Sequence, residues 1–244
     1  MRQYRIIGSL LFLWSISMFT NSVQAQQMIS NGKGLSQQEK SIISISALTA
    51  KGDLENLKSA LKEGLEAGLT VNEIKEILVH TYAYCGFPRS IRGLQTFMEV
   101  INERKASGIT DKIGKEASLI KADDNKYERG KKVLEELTKT PSPEKLVGYA
   151  AFAPVIDAFL KEHLFADIFE RDILTYAQRE WVTLSVISAI GDAEPMLKGH
   201  VSIAFNVGAT PEQLNEFITI IQPIVGENKA KSASVVVAEV LKSE

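Results

Sequence analysis

The sequence predicts an all-α protein made of two tandem helical repeats. Two observations support this. Strand-like alternation of apolar and polar residues is nearly absent along the 244 residues, whereas apolar residues at helical spacing recur between helix-start signals. The same order of starts and turns also appears twice, at an offset of about 139 residues. The chain is 45% hydrophobic and 24% charged, which is ordinary globular composition and enough for one or two cores.

Residues 1–25 resemble a secretory signal. A short basic start is followed by an apolar stretch, and Val23-Gln24-Ala25 fits a cleavage site. The apolar stretch is shorter than the roughly 20 residues of a membrane span. We therefore expect cleavage after Ala25, with an uncleaved anchor as the alternative. The mature protein would be periplasmic or secreted, without membrane contact, and its residues 26–34 would form a disordered arm.

Residues 35–105 form the first predicted repeat. Its helices begin at capping boxes, in which two side chains three residues apart satisfy free backbone N–H groups, and they end at glycines. In chain order the signals are Ser36 with Glu39, Gly52, Gly68, Thr70 with Glu73, Gly86, and Pro88 in the first turn of a helix that runs to about Arg104. The signals predict a helical hairpin followed by two further helices.

The same signals recur in residues 172–244, the second predicted repeat. The matched pairs are Ser36 and Thr175, Gly52 and Gly191, Gly68 and Gly208, Thr70 and Thr210, Glu76 and Glu216, and Gly86 and Gly226. One inserted residue changes the offset from 139 to 140 after the turn. Caps at corresponding places indicate duplication of a unit of about 70 residues. In the second repeat Asp192 is expected to cap the second hairpin helix.

Residues 106–171 join the two repeats. The charged stretch 103–129 is predicted to be a linker, and residues 127–137 fit an amphipathic helix. Another helix is predicted to start at Ala153-Pro154. Four of its apolar side chains should face the protein interior: Val155, Phe159, Leu160 and Leu164. These helices are predicted to pack in front of the second repeat.

An acid and a histidine interrupt the apolar faces of the second hairpin. Glu180 lies eleven residues before Gly191, and His200 lies nine residues after it. In an antiparallel hairpin with a rise of about 1.5 Å per residue, the two lie at nearly the same level. A carboxylate facing an imidazole is suited to proton transfer. The alternatives are a structural acid paired with Arg179 and a histidine satisfied within the core.

The two repeats keep different polar residues. Glu180 corresponds to Ser41, and His200 falls opposite Ala60 or Leu61. Three residues occur only in the first repeat: Cys85, Pro88 and Arg89, where the second has Val225, Asn228 and Lys229. This difference suggests either one composite site or one active and one scaffolding repeat.

These motifs resemble the carboxymuconolactone decarboxylase family, which also contains the alkylhydroperoxidase AhpD-like proteins. The residues that carry the resemblance are Arg179-Glu180, Gly191, His200 followed by Gly208, and residues 82–88 at the end of the Thr-capped helix. The resemblance covers most of residues 35–105 and 172–242. It implies an AhpD-like all-α fold and a homo-oligomer, trimeric or hexamer-like, with sites near subunit contacts.

The resemblance implies two chemistries. Decarboxylase members act on a lactone acid without a metal or organic cofactor. AhpD-like members use a Cys-x-x-Cys-x-x-x-His centre and an upstream Glu that relays protons. Here His200 and Glu180 correspond to the His and Glu of that relay. The two cysteine positions fall at about Ala193 and Met196, so disulfide chemistry cannot run there.

The first functional hypothesis is a cofactor-independent acid–base enzyme of the decarboxylase (lyase) type acting on a small lactone or carboxylic acid. His200 would donate the proton, and Glu180 would tune or orient it. Arg89, near a helix start, is a candidate for binding a substrate carboxylate. Tyr82 and Tyr84 are candidates for donating to an oxyanion. The alternatives are a surface charge for Arg89 and packing for the tyrosines.

Two other functions stay open. A peroxidase-like antioxidant protein of peroxiredoxin type would use Cys85 alone, through a sulfenic acid resolved by an external thiol, unless Cys85 is an inert buried residue. A non-enzymatic oligomer would bind a small acid or a partner protein. The single cysteine excludes an intrachain disulfide, the three histidines lack metal-ligand spacing, and no basic patch indicates nucleic-acid binding.

Overall fold

The computed structural model describes residues 34–120 and 125–243, and in those ranges the protein is all-α. From Leu35 onward the chain forms one compact unit. The helices are α1 Gln37–Lys51, α2 Leu54–Glu66, α3 Val71–Ala106, α4 Lys126–Thr138, α5 Gly148–Phe152, α6 Pro154–Ala158, the π-helix π1 Phe159–Ile168, α7 Tyr176–Ile190, α8 Glu194–Asn206, α9 Pro211–Val225 and α10 Glu227–Ser243. The predicted signal and residues 26–33 of the arm lie outside the described residues. None of the described helices has the length and hydropathy of a membrane span.

All four predicted capping boxes form. In each box the Ser or Thr side chain accepts a hydrogen bond from the backbone N–H three residues on, and the Glu or Gln side chain accepts one from the N–H of the cap residue. The pairs are Ser36 with Glu39, Thr70 with Glu73, Thr175 with Gln178 and Thr210 with Gln213. The caps therefore fix where α1, α3, α7 and α9 begin.

Two glycines confirm that α1–α3 and α7–α10 are copies of one unit. Gly86 has φ 78° and ψ 163°, and it breaks the helical backbone within α3. Gly226 has φ 88° and ψ 162° between α9 and α10. Positive φ at these values suits glycine because it has no Cβ. The long α3 is thus the counterpart of α9 and α10 together.

The two repeats pack as a pseudo-two-fold pair, in which each repeat makes the equivalent contacts with the other. Arg179 of the second repeat contacts Glu76 of the first at 2.8 Å. In the equivalent pair, Lys40 of the first repeat contacts Glu216 of the second at 2.6 Å. Helices α1 and α7 pack together, while α3 packs on α7 and α9 packs on α1. The third helix of each repeat therefore lies against the first helix of the other.

The predicted cap at Asp192 is wrong. Asp192 has φ 54°, and α8 begins after Ala193, which makes no side-chain cap. In the first repeat Asp53 does cap, because its side chain accepts from Asn56 N–H. The extra residue of the second repeat lengthens the turn and moves Asp192 out of the cap position.

The segment between the repeats is more ordered than a linker. Helix α3 continues to Ala106, and the chain beyond it returns to the start of α3, where Val71 N–H donates to Lys112 O at 2.9 Å. Helix α4 confirms the predicted amphipathic helix. The inward placement of Val155 and Phe159 is wrong, since both side chains are 59% exposed. Residues from Phe159 onward form a π-helix, whose wider turn places different residues on the buried face.

Candidate active site

The predicted acid–histidine pair forms within the second hairpin. His200 Nδ1 on α8 lies 2.9 Å from Glu180 Oε2 on α7. Glu180 is fully buried, and the His200 side chain is 15% exposed. An ionised carboxylate only accepts hydrogen bonds, so the bond requires the proton on Nδ1 and leaves the lone pair on Nε2. Nε2 is then the atom that can take up and return a proton.

Arg179 is not the partner of Glu180. Its guanidinium donates to Glu76 Oε1 at 2.8 Å, to the backbone oxygen of Arg171 at 2.6 Å and to His80 Nδ1 at 3.1 Å. Within residues 34–120 and 125–243, the second oxygen of Glu180, Oε1, has no hydrogen-bond partner although it is buried. A buried acceptor without a donor is costly, so its presence beside His200 suggests a ligand group at this position.

Tyr84 brings the first repeat into the site. Its ring meets the His200 ring edge-on, with centroids 5.7 Å apart. Its hydroxyl is also buried and makes no hydrogen bond of good geometry within the described part of the chain, although the Thr183 side chain lies near it. Burial raises the pKa of Tyr84 well above its usual value, and the negative charge of Glu180 acts in the same direction. The phenol therefore keeps its proton and is available as a donor.

His80 ties the two repeats together behind this site. Arg179 donates to its Nδ1, so its Nε2–H donates to Thr183 Oγ1 at 2.9 Å, and Thr183 in turn donates to Arg179 O at 3.0 Å. Burial lowers the pKa of His80 well below its usual value, and the positive charges of Arg179 and His200 lower it further. A neutral His80 satisfies both of its ring nitrogens and holds α3 against α7.

The pseudo-equivalent position in the other half of the molecule lacks this chemistry. Ser41 and Ser44 stand where Glu180 and Thr183 stand, and Ile220 and Ile224 stand where His80 and Tyr84 stand. Only the cation and its glutamate are kept, as Lys40 with Glu216. The composite arrangement suggested by the sequence is therefore present once per chain, with side chains from both repeats.

Comparison with known proteins agrees with the duplication. The carboxymuconolactone decarboxylase family matches residues 21–97 and 154–239. The chain belongs to the carboxymuconolactone decarboxylase family. An uncharacterized protein of Methanocaldococcus jannaschii is 25% identical over 79 residues, which are 32% of this chain and 74% of that protein. The crystal structure of a candidate gamma-carboxymuconolactone decarboxylase subunit from Burkholderia xenovorans LB400 covers 92% of this chain and 84% of its own, at 20% identity and a TM-score of 0.51. That similarity shows a shared fold.

Arg89 takes a structural position in this family member. Its guanidinium lies against Gly52, where a Cβ would collide with Nη1. The equivalent Lys229 lies against Gly191 and donates to Ala189 O at 2.5 Å and Ile190 O at 3.1 Å. Both side chains thus cover the end of the first hairpin helix, which favours the non-catalytic alternative for Arg89.

The two remaining predicted site residues, Tyr82 and Cys85, make their hydrogen bonds outside the Glu180–His200 pair. Tyr82 turns away from Tyr84, and its hydroxyl hydrogen-bonds to His163. Cys85 is half-buried and its Sγ donates to Thr81 O at 3.1 Å. Among the described residues no cluster of three His, Cys, Asp or Glu side chains could hold a metal ion. Sequence analysis missed His80 as a site residue, although its isoleucine counterpart at offset 140, Ile220, marks it as specific to one repeat.

The neutral His80 predicts a loss of stability in mild acid. Below about pH 6.5 the unfolded chain protonates this imidazole while the folded chain does not, so the free energy of unfolding falls by up to about 1.4 kcal/mol per pH unit. Urea unfolding at pH 7.5 and 5.5 measures the fall. His80→Gln is expected to be less stable at pH 7.5 and to lose less on acidification. Equal losses in both proteins would contradict the assignment.

Proposed function

We propose that this family member is a cofactor-independent acid–base enzyme that decarboxylates a small lactone or related carboxylic acid. The buried Glu180–His200 pair, whose imidazole meets the ring of Tyr84 edge-on, carries the proposal. A buried acceptor, a phenol donor and an imidazole that lie close together are the groups that enolate chemistry needs. Family membership supports the reaction class.

Each side chain has a role in this reaction. Loss of carbon dioxide breaks a carbon–carbon bond, and its electron pair enters the conjugated lactone carbonyl as an enolate. Tyr84 donates a hydrogen bond to that oxygen as charge develops there. The imidazolium of His200 delivers the proton from Nε2 to carbon, and Glu180 holds Nδ1–H and stabilises the imidazolium. Nε2 then recovers a proton from solvent, so one proton is consumed per carbon dioxide released.

We further propose that the mature chain starts after Ala25, outside the cytoplasm, and assembles as a homo-oligomer. Exposed apolar side chains on the segment from Val147 to Val155 support assembly, and Phe152 is 92% exposed. Contiguous exposed apolar surface is typical of interfaces. Because one chain supplies two helical repeats, a trimer would contain six of them. Sedimentation of residues 26–244 tests this, and a monomer would contradict it.

The proposed reaction is tested with 4-carboxymuconolactone and purified residues 26–244. Loss of the substrate's ultraviolet absorbance and release of carbon dioxide should proceed in the presence of a chelator. The same substrate with heat-unfolded protein gives the spontaneous rate. Turnover at the spontaneous rate would overturn the proposal and would leave a binding function for this oligomer.

The thiol alternative gives a separate prediction. Burial raises the pKa of Cys85, although an interaction with the Thr81 side chain and the charge of Arg89 act against it, so the thiolate is disfavoured near neutral pH. We therefore expect Cys85→Ser to decarboxylate at the wild-type rate. In the presence of dithiothreitol, the variant and the wild type should also consume peroxide at the same rate. Peroxide consumption that disappears in Cys85→Ser would instead establish the peroxidase function.

A further inference from the structure

A second polar cluster, which shares no residue with the Glu180–His200 pair, lies where α3 meets α4 and π1. The Tyr82 hydroxyl bonds to His163 Nε2, and His163 Nδ1 lies 3.1 Å from Asp167 Oδ2. Lys126 Nζ contacts the same carboxylate oxygen at 2.8 Å. Tyr82, His163, Asp167 and Lys126 thus form a continuous hydrogen-bonded chain that links α3, α4 and π1.

This chain runs along a groove with apolar walls, here called the Tyr82 groove. Its volume is about 570 Å³, within the range of small-molecule sites. Besides the four polar residues and Glu162, its lining is apolar: Ala83, Ile156, Phe159, Leu160 and Leu164. His163 and Asp167 both lie on π1, and π-helical segments occur frequently at functional sites.

The hydrogen bonds already made within the groove determine which donors and acceptors can still bind a ligand. The O–H of Tyr82 is used on His163 Nε2, and the Nδ1–H of His163 is used on Asp167. Lys126 also donates to Asp167, with one of its three N–H groups. Among the described residues, the acceptors of the groove that stay free are the lone pairs of Tyr82 Oη and the second oxygen of Asp167, Oδ1, while the remaining N–H groups of Lys126 are free donors.

The carboxylate is an effective acceptor. Burial raises the pKa of Asp167, but the hydrogen bonds from Lys126 and His163 outweigh this and hold the pKa below its usual value. Asp167 is therefore ionised near neutral pH, and Glu162 adds a second carboxyl group to the lining. The lining therefore holds two carboxyl groups against the single ammonium of Lys126, which already contacts Asp167, and this charge balance favours a neutral hydrogen-bond donor over a carboxylate.

We propose that the Tyr82 groove binds a neutral molecule with an aromatic or alicyclic body and a hydroxyl group that donates to Tyr82 or Asp167. The apolar walls bury the body, and the acceptors orient the hydroxyl. The ligand class differs from the carboxylic acid proposed for the Glu180–His200 site. The lining of the groove contains none of Glu180, His200 and Tyr84, so the proposed binding does not depend on the proposed decarboxylation.

The probe is 2-naphthol, and the matched probe is 2-naphthoate, which replaces the donor by a negative charge on the same ring system. Calorimetric titration of residues 26–244 should give a Kd for 2-naphthol on the order of 0.1–1 mM. 2-Naphthoate should bind at least about tenfold more weakly. Equal affinities, or no saturable binding of 2-naphthol, would overturn the proposal.

Two variants locate the binding. Ala83 is exposed on α3 within the groove, so Ala83→Phe should fill the site and abolish binding without disturbing the core. Ala106→Phe places the same ring at the exposed end of α3, outside the groove, and should bind normally. Tyr82→Phe should weaken binding about three- to tenfold. Circular dichroism checks that each variant is folded. Unchanged binding in both Ala83→Phe and Tyr82→Phe would place the ligand elsewhere and overturn the assignment.

Discussion

His200→Ala is expected to lower kcat for lactone decarboxylation by about 10²- to 10⁴-fold, the range of a general acid–base group. The variant loses the Nε2 proton that quenches the enolate and leaves Glu180 buried without its imidazole. Steady-state rates with 4-carboxymuconolactone measure the effect, and thermal unfolding shows whether the fold survives.

Lys198→Ala is the matched control, because Lys198 lies on α8 two residues before His200, on a different face of the helix, and its side chain is 54% exposed. Its kcat should equal that of the wild type. Glu180→Gln keeps the volume of the carboxylate and removes its charge, so its kcat should also fall. A wild-type rate in His200→Ala would remove the acid–base assignment.

Glu76→Ala is expected to cost about 3–5 kcal/mol of unfolding free energy, because it leaves the guanidinium of Arg179 buried without its counter-charge. Glu76 is buried and accepts from both Arg179 and Arg171. Urea denaturation followed by circular dichroism measures the loss.

The pseudo-two-fold relation supplies the control for Glu76. Glu216 occupies the equivalent position, but its ion pair with Lys40 is partly exposed, at 28% and 34% of the two side chains. Glu216→Ala should cost only about 1 kcal/mol, since exposed pairs and single hydrogen bonds contribute little. Similar losses of unfolding free energy in Glu76→Ala and Glu216→Ala would show that burial of the ion pair does not determine the cost of breaking it.

Local features of this chain were predictable from sequence. The four capping boxes and the glycines at 86 and 226 depend on residues within one turn of each other, and all appear in the structure. Glu180 and His200 lie opposite each other in the hairpin, and this follows from the helical rise and the number of residues between each of them and the turn. These predictions succeed because short-range geometry determines them.

Contacts between distant segments were not predictable in the same way. Tyr84 and His80 reach the site because α3 of the first repeat packs on α7 of the second, about 100 residues later. The pairing of Arg179 with Glu76 depends on the same packing. Nothing in the periodicity of residues 159–168 signals a π-helix, so Phe159 was assigned to the wrong face. Val155 lies on the separate short helix α6, which buries none of its residues.

The most direct test of a composite site is the kcat of Tyr84→Phe with 4-carboxymuconolactone. Tyr84 belongs to the first repeat and meets His200 of the second. The account predicts a fall of about tenfold or more with little change in KM, because the hydroxyl acts on charge that develops only in the transition state. A wild-type kcat in this variant would contradict the claim that both repeats build one active site.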